Sequence, residues 1–410
     1  MENMIVKPQK KYIMMSLIYA YVISIGFFNA LVGASFNTGG MIINISVILA
    51  LACLNFRQMF SICVRPIVVI YISFIISIYL VTAAVSYPSI HRNEFYFYFA
   101  LASFLGAYKC DYERVLRYTM YFSLLAIPFH GELFGKINEF GIDAAIEMGS
   151  SFAILPVCMA GVIHFFFFKR QGKVFDKICY IIDAFFLLEI ILKGNRGIAL
   201  ATLVTVFSIY IKNWGADKKR KKLTLRLGIV ICAALAIYLN FFQILNWLNE
   251  ILRSLGIEAH FIRKIMLLQS GGDISNGRSF IFNYTLKEIN KSPFWGHGIS
   301  TILYNSGWSI IYPHNFLLQM LYDGGLLLTI PLIVILYKAI RYAFNGERRE
   351  VAAFLLYMLL ICIPKMSFSS DLWKNQAFWL LLVHVLQYYY GKMTTPVEEV
   401  NHDKSVYEFA

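Results

Sequence analysis

Charged side chains are scarce in this chain. Asp, Glu, Lys and Arg make up 15% of its 410 residues, whereas hydrophobic residues make up 59% and the mean hydropathy is +0.62. A soluble domain carries about 25% charged residues. This chain has too little polar surface to cover itself in water, so its composition argues against an ordinary soluble domain. We predict a single bundle embedded in a membrane.

The sequence also lacks the spacings that mark several kinds of site. Seven cysteines are present, but no CxxC spacing occurs, which argues against a zinc site and a disulfide framework. Walker A, HExxH and GxSxG motifs are absent, and the paired carboxylates of a glycosidase cannot be identified. The residues therefore give no reason to expect a cofactor.

Long apolar runs are what the sequence does have. A spanning helix needs about 20 mostly apolar residues, and lipid cannot satisfy backbone polar groups, which favours helices. We predict an all-α polytopic membrane protein with about twelve transmembrane helices. Their approximate ranges are 12–34, 40–55, 66–86, 94–108, 115–131, 149–168, 177–193, 197–212, 226–244, 322–340, 351–367 and 374–390.

The basic residues are unevenly distributed between the two sides of these runs. Most of the 37 Lys and Arg residues fall on the side of the N-terminus, with the densest cluster at 212–226. Because basic loops stay in the cytoplasm, we expect both termini to be cytoplasmic. The net charge of +13 then follows from topology, and no nucleic-acid partner is needed to explain it.

One connection, residues 245–313, is much longer than the others and lies on the outer side. Its beginning, 244–268, places apolar side chains at helical spacing, which predicts an amphipathic helix at the membrane surface. Residues 279–290 predict a second short helix. We therefore divide the chain into a bundle of nine helices, a large outer loop with a re-entry helix, the last three helices and a polar cytoplasmic tail. Their bounds are 1–244, 245–321, 322–391 and 392–410.

Three polar side chains at the outer ends of helices are candidate functional residues. Arg196 lies in a tight turn, where it could clamp an anion because Arg matches phosphate geometry; the alternative is a side chain that snorkels to the interface. Arg278 precedes the second loop helix and could equally be a solvated loop cation. His314 precedes an apolar helix, where we expect a pKa near neutrality and a role as general base; the alternative is a capping or interfacial histidine.

The remaining polar residues are weaker candidates. His297, in a Gly-His-Gly loop, is a secondary candidate, whereas His164 and His384 lie in apolar helices and are interpreted as packing residues. We interpret the outer acidic residues as a solvated face, with contact to an acceptor sugar as the alternative: Glu132, Glu139, Asp143 and Glu147. Three other histidines have no convincing partners: His91, His130 and His260.

The order of these positions resembles a known family. The stretch GRSFIFNYTLKEINKSPFWGHGIS, a gap and then PHNFLLQMLYDGG resemble the signature region of the O-antigen polymerase and O-antigen ligase superfamily. The upstream GNRGIAL resembles the Arg-Gly turn that these proteins carry between two mid-chain helices. The layout of about twelve helices with one large outer loop late in the chain is similar as well.

The resemblance implies a GT-C-like glycosyltransferase that uses undecaprenyl-diphosphate-linked glycans without a metal ion. Arg196 and Arg278 would hold the diphosphate, and His314 would activate or orient the acceptor hydroxyl. Asn315 and His297 are assigned as further substrate-binding candidates. Many membrane glycosyltransferases carry an acidic residue in the first outer loop, and none occurs at 35–39 here; two arginines can take over stabilisation of the leaving group.

The same resemblance implies the surroundings of the protein. We expect a multi-pass protein of the bacterial inner membrane with its active site facing the periplasm. Its partners would be lipid-linked oligosaccharide repeat units and the bilayer, and a chain-length regulator protein is a further candidate.

Two alternatives to a polymerase remain open. Ligases often show a second glycine three residues after the one that corresponds to Gly325, and Leu328 stands there instead, which favours the polymerase. A flippase for lipid-linked oligosaccharides would have similar length and helix count. Transporters often show internal repeats, short loops on both sides and charged residues inside helices. This chain shows no clear repeat, it has one long outer loop, and its unusual charges lie at the outer ends of helices.

Overall fold

The computed structural model describes the chain in several stretches and shows only helices as regular elements within them. The described residues are 12–31, 46–47, 49–50, 53, 64–85, 99, 102–130, 143–168, 174–192, 198, 201–209, 241–254, 278–307, 309–368 and 371–388.

We number the helices in chain order; several are too short to cross a membrane, so their number is not a number of spans. They are α1 Ile13–Ile23, α2 Ile25–Leu31, α3 Pro66–Val85, α4 Tyr112–Tyr121 with a 3-10 turn Phe122–Ala126, α5 Asp143–Phe168, α6 Val174–Leu192, α7 Phe241–Ser254, α8 Arg278–Lys291, α9 Ile302–Asn305, α10 Phe316–Asn345, α11 Arg349–Phe368 and α12 Gln376–Tyr388.

Two helices in the described part of the chain, α10 and α11, are long and apolar enough to cross a membrane. The pair α1 and α2 would make a third span, bent by 64° at Ser24. Shorter apolar helices occur at Pro66–Thr82, Phe152–Phe168 and Gln376–Tyr388. Within the residues that the structure describes, these elements confirm an all-helical architecture with apolar helices of membrane-spanning length, whereas the predicted total of twelve spans stays a prediction.

The core of the bundle is built around α11. This helix packs against α4, α5, α10 and α12, and almost all of its side chains are buried, as expected for a helix that is apolar on every face. His384 of α12 is buried, which confirms its interpretation as a packing residue. It is also hydrogen-bonded, because its Nε2 lies 2.9 Å from the hydroxyl of Tyr112.

The predicted span 115–131 differs from what the structure shows. α4 has 10 residues and passes into a 3-10 turn at Phe122–Ala126, which is shorter than a span needs. One face of α4 is polar: Arg117 Nη2 donates to Glu113 Oε1 at 2.5 Å, and Arg117 Nε lies 3.9 Å from Asp176 Oδ2. The apolar residues in 115–131 led to the prediction of a span, whereas the helix Tyr112–Tyr121 is amphipathic.

α10 contains a break that the sequence did not predict. Gly325 has φ 60° and ψ −157°, so helical geometry is interrupted ten residues into the helix. Among the helical hydrogen bonds that would cross this residue are those from Leu326 N–H to the Tyr322 carbonyl and from Leu327 N–H to the Asp323 carbonyl. Each unpaired polar group would cost several kcal/mol in lipid.

The segment 293–298, between α8 and α9, supplies the missing partners for these four backbone groups. The exchange is reciprocal, since the segment donates two hydrogen bonds to α10 and accepts two from it; we call it the backbone exchange. His297 N donates to the Tyr322 carbonyl at 2.6 Å, Gly298 N to the Asp323 carbonyl at 2.9 Å, Leu326 N to the Pro293 carbonyl at 2.9 Å and Leu327 N to the Phe294 carbonyl at 3.3 Å.

Candidate functional site

The site begins at the N-terminus of α10. Asn315 is the N-cap, and its Oδ1 accepts hydrogen bonds from the backbone N–H of Leu317 at 3.0 Å and of Leu318 at 3.2 Å. This cap satisfies donors that no helical carbonyl can reach. The helix therefore begins at Phe316, directly after His314 and Asn315 as predicted for the re-entry helix, and it runs on through the predicted span 322–340 to Asn345. Capping accounts for the Asn315 side-chain oxygen, and a role in substrate binding stays a prediction.

His314 precedes this cap in a strained conformation. Its φ is 56°, in the left-handed region that residues other than glycine rarely adopt, and such strain is often found at functional sites. Its ring lies 4.2 Å from the ring of Tyr312, centroid to centroid. Its Nδ1 is buried and has no hydrogen-bond partner among the described residues. The fold thus holds one nitrogen of the imidazole out of water.

The pKa expected for His314 was wrong. Burial, and then the positive charge of Arg278, lower the pKa of His314 from its ordinary value to about 4, because both disfavour the imidazolium. At neutral pH the ring is therefore uncharged. A neutral imidazole can accept a proton, so the chemistry of a base is available despite the low pKa.

Arg278 is the first residue of α8 and is partly buried. Its positive charge lowers the pKa of His314 and opposes the rise in the pKa of Tyr312 that burial causes, so its guanidinium acts on both side chains through space. A small apolar cluster packs α8 against α10 and fixes this arrangement; it contains Ile289 and Tyr322. Two of the three main candidates therefore share one site.

His297 lies at the other end of α8 and has different contacts. Its Nε2–H donates to the Glu288 carbonyl at 2.7 Å, and its ring stacks on that of Tyr322 with 4.9 Å between centroids. These contacts join α8 to α10. They account for the ring without a ligand, and substrate binding by His297 stays a prediction.

Several predicted residues lie outside the described part of the chain. Arg196 is among them, so the structure does not test the expected pair of arginines. The described side chains likewise leave out His91 and His260 and the four outer acidic residues. For His130, however, the expectation of no partner is wrong, because its Nε2 lies 2.8 Å from Glu189 Oε2.

A carboxylate beside the site was not predicted from the sequence. Asp371 lies between α11 and α12, where its Oδ1 accepts from Gln319 Nε2 at 2.7 Å, and its charge contributes to the raised pKa of Tyr312. Gln319 in turn accepts from the backbone N–H of Leu372 at 3.0 Å through Oε1. An acidic residue in a short turn between two apolar helices was a signal that could have identified it.

Together these residues place a cation, a neutral imidazole and a carboxylate near the start of α10. A cation can hold a negatively charged leaving group while a neutral base accepts a proton. The described His, Cys, Asp and Glu side chains form no group of three that could hold a metal ion. Metal-independent chemistry stays a prediction.

Part of the chain, including Arg278 and His314 of this site, matches the model of a known protein family. The model of a family described as O-Antigen ligase matches residues 181–333, a range that contains α8, the segment 293–298, His314 and the break in α10. A comparison with curated proteins gave no match. The predicted resemblance to the O-antigen polymerase and ligase superfamily is therefore confirmed over residues 181–333.

Proposed function

We propose that this protein polymerises a surface polysaccharide such as O-antigen. It transfers a growing undecaprenyl-diphosphate-linked glycan onto a lipid-linked repeat unit at the periplasmic face of the inner membrane, with both termini in the cytoplasm. The observation that carries the proposal is the juxtaposition of a neutral, strained His314 with Arg278 at the start of α10. The family match supports it, because members of that family are glycosyltransferase-like enzymes.

The reaction forms one bond and breaks another. The acceptor hydroxyl oxygen attacks the anomeric carbon of the donor, and the bond from that carbon to the diphosphate oxygen breaks. The electron pair leaves with the undecaprenyl diphosphate, whose growing charge Arg278 stabilises. His314 accepts the proton of the attacking hydroxyl. Arg196 is the second phosphate-binding residue in this proposal, as the sequence resemblance implies.

The low pKa of His314 fits this scheme once the donor is bound. A base with a pKa of about 4 would accept a proton only weakly at neutral pH. A diphosphate bound to Arg278 would offset the positive charge that now disfavours the imidazolium. The pKa of His314 would then rise toward its ordinary value, so the base would become stronger when the donor is in place.

A ligase that transfers the glycan to lipid A core is the second candidate. The description of the matching family and the spacing from His314-Asn315 to Gly325 favour it. Leu328, which stands where ligases often have glycine, favours the polymerase. The structure shows how Leu328 fits: its Cβ is 2.5 Å from where a Cβ on Gly324 would lie, so the glycine at 324 leaves room for the leucine.

Reconstitution with one defined undecaprenyl-diphosphate repeat unit tests the proposal. We expect a ladder of products on a gel, and we expect His314→Ala to abolish it while the protein still folds. His130→Ala is a matched control, because it also removes an imidazole but His130 pairs with Glu189 and lies outside the proposed site. A conjugate that forms only when lipid A core is added would show a ligase. Transport of the lipid-linked unit without any transfer would show a flippase.

A further inference from the structure

The segment 293–298 presents two large apolar side chains to the outside although its backbone is fixed. Phe294 is 62% exposed and Trp295 is 76% exposed. The backbone exchange holds the peptide groups on both sides of them, and Ile299 N donates to Thr82 Oγ1 of α3 at 3.2 Å. The backbone that carries these two exposed rings is therefore fixed by hydrogen bonds to α3 and α10.

The exposed rings continue an apolar face of α10. Leu327, which donates to the Phe294 carbonyl, begins this face on the second half of the helix. That half, from residue 326 to Asn345, is about 30 Å long at 1.5 Å per residue, the thickness of the hydrocarbon core. Its exposed large apolar residues recur at helical spacing: Leu327, Ile330, Ile333, Val334, Tyr337 and Ile340.

The polarity of the surface changes just before the segment. Lys291 has a 58% exposed side chain whose Nζ lies 2.7 Å from Glu288 Oε1. The exposed face of α8 is mixed, since it carries the polar residues Asn283 and Lys287 together with Phe280 at 63% and Leu286 at 47% exposure, and it is polar at its end next to Lys291. A surface that passes from lysine to tryptophan within a few residues is typical of a membrane interface, where Trp is enriched and Lys reaches the headgroups.

We infer that Phe294 and Trp295 form an anchor in the boundary between headgroups and acyl chains of the leaflet nearest the Arg278–His314 site. This is the outer leaflet under the topology proposed above, but the anchor itself does not depend on the reaction. Lipid is the occupant because the rings are continuous with the exposed face of a spanning helix. Because residues 293–298 join α8 to α10, the anchor fixes the depth of Arg278, the first residue of α8, relative to the bilayer.

Fluorescence quenching by brominated lipids tests the anchor in the full-length protein. The emission of Trp295 is the difference between the natural protein and Trp295→Phe, both reconstituted in phosphatidylcholine nanodiscs. We expect lipids brominated near the headgroup to quench this emission more strongly than lipids brominated near the chain end. Emission that only aqueous iodide quenches would place Trp295 in water, and emission that neither reagent quenches would show a protein cover, such as a second copy of the chain. Either result would overturn the anchor.

Thiol labelling gives a second reading if Trp295 emits too weakly. Trp295→Cys and Asn283→Cys are compared for reaction with a maleimide dissolved in water, after subtraction of the reaction of the parent protein, whose Cys53 is exposed. We expect Trp295→Cys to react at least about tenfold more slowly, since the interface excludes the reagent and the thiolate. Equal rates would overturn the anchor. Neither assay needs turnover, so a wrong polymerase assignment would leave both readings intact.

Discussion

His297 and Tyr322 are joined at two levels: the backbone N–H of His297 donates to the carbonyl of Tyr322 at 2.6 Å, and their rings stack with 4.9 Å between centroids. This pair lies beside the break at Gly325. It connects the segment that follows α8, the helix of Arg278, to α10, at whose start His314 lies. The geometry of the proposed site therefore depends on contacts made just after the end of α8 and about two turns into α10.

The first prediction concerns Gly325→Ala. A Cβ at this position would lie 2.4 Å from the carbonyl carbon of Phe294. The backbone angles, φ 60° and ψ −157°, lie in a region that is essentially restricted to glycine and add a cost of about 1–3 kcal/mol for an L side chain. Gly307→Ala is the matched control, because its φ is +62° but nothing lies within 4 Å of its Cβ. We expect a clearly larger fall in the Tm of the detergent-solubilised protein for Gly325→Ala. Equal falls would show that the backbone exchange contributes no stability.

The second prediction separates capping from substrate binding at Asn315. Loss of an N-cap costs about 0.5–2 kcal/mol, so Asn315→Ala should lower the Tm. Asn315→Ser can still accept a hydrogen bond from the backbone of the first turn, and we expect it to keep both Tm and turnover. If Asn315→Ser keeps the Tm but loses turnover, the side chain contacts substrate and capping is not its main role.

The third prediction concerns the dependence of turnover on pH. Protonation of His314 removes the proposed base. The pH dependence of kcat/KM reports groups of the free enzyme, so kcat/KM should fall only as the pH approaches about 4. Arg278→Gln removes the second cause of the lowered pKa while burial remains. We expect the acid limb of the profile to move to higher pH, together with a loss of about 10²–10³-fold in turnover because the leaving group loses its cation. An unmoved limb would show that another group controls it.

The fourth prediction concerns stability and follows from the same residue. The pKa of His314 is lower in the folded protein than its ordinary value of 6.5, so the unfolded chain binds the proton more readily. The contribution of this group is therefore fully present above pH 6.5 and is lost as the pH falls toward 4. His314→Gln should make the Tm less sensitive to pH in this window. An unchanged dependence of Tm on pH would contradict the burial of the ring.

The fifth prediction tests the contact of α10 with the turn before α12. Gln319→Glu keeps an oxygen that can accept from Leu372 N but replaces the donor to Asp371 with a second carboxylate. We expect a loss of about 1–3 kcal/mol in unfolding free energy at neutral pH, since a buried acceptor loses its donor. Gln319→Glu combined with Asp371→Asn should restore much of it, because the amide of Asn can donate to the new carboxylate. No rescue would show that the contact is not specific.

Regular helices could be predicted where local pattern determines them. The predicted helix 279–290 corresponds to Arg278–Lys291, and the predicted span 351–367 to Arg349–Phe368. In both cases the apolar spacing and the flanking polar residues lie within the helix or next to it. Arg278 and His314 could be selected as candidates from the sequence, because charged residues at the ends of apolar helices are costly and therefore informative, and their roles stay predictions.

What escaped prediction depends on contacts between distant residues. The sequence shows Gly324-Gly325 but cannot show that residues 293–298 supply hydrogen bonds about thirty positions away. The pKa of His314 follows from burial and from a guanidinium on another helix, neither of which local pattern contains. Arg117 on the polar face of α4 lies close to Asp176 on α6. The local sequence of α4 does not contain this contact.

The backbone exchange has a consequence for how the protein is made. Residues 293–298 leave the ribosome before Tyr322 and Leu327, so the partners of the broken helix are synthesised first. The break in α10 would expose unpaired peptide groups to lipid if the helix entered the membrane without them. We therefore expect stable insertion of α10 to require that residues 293–298 are already in place beside it, and the order of synthesis allows this.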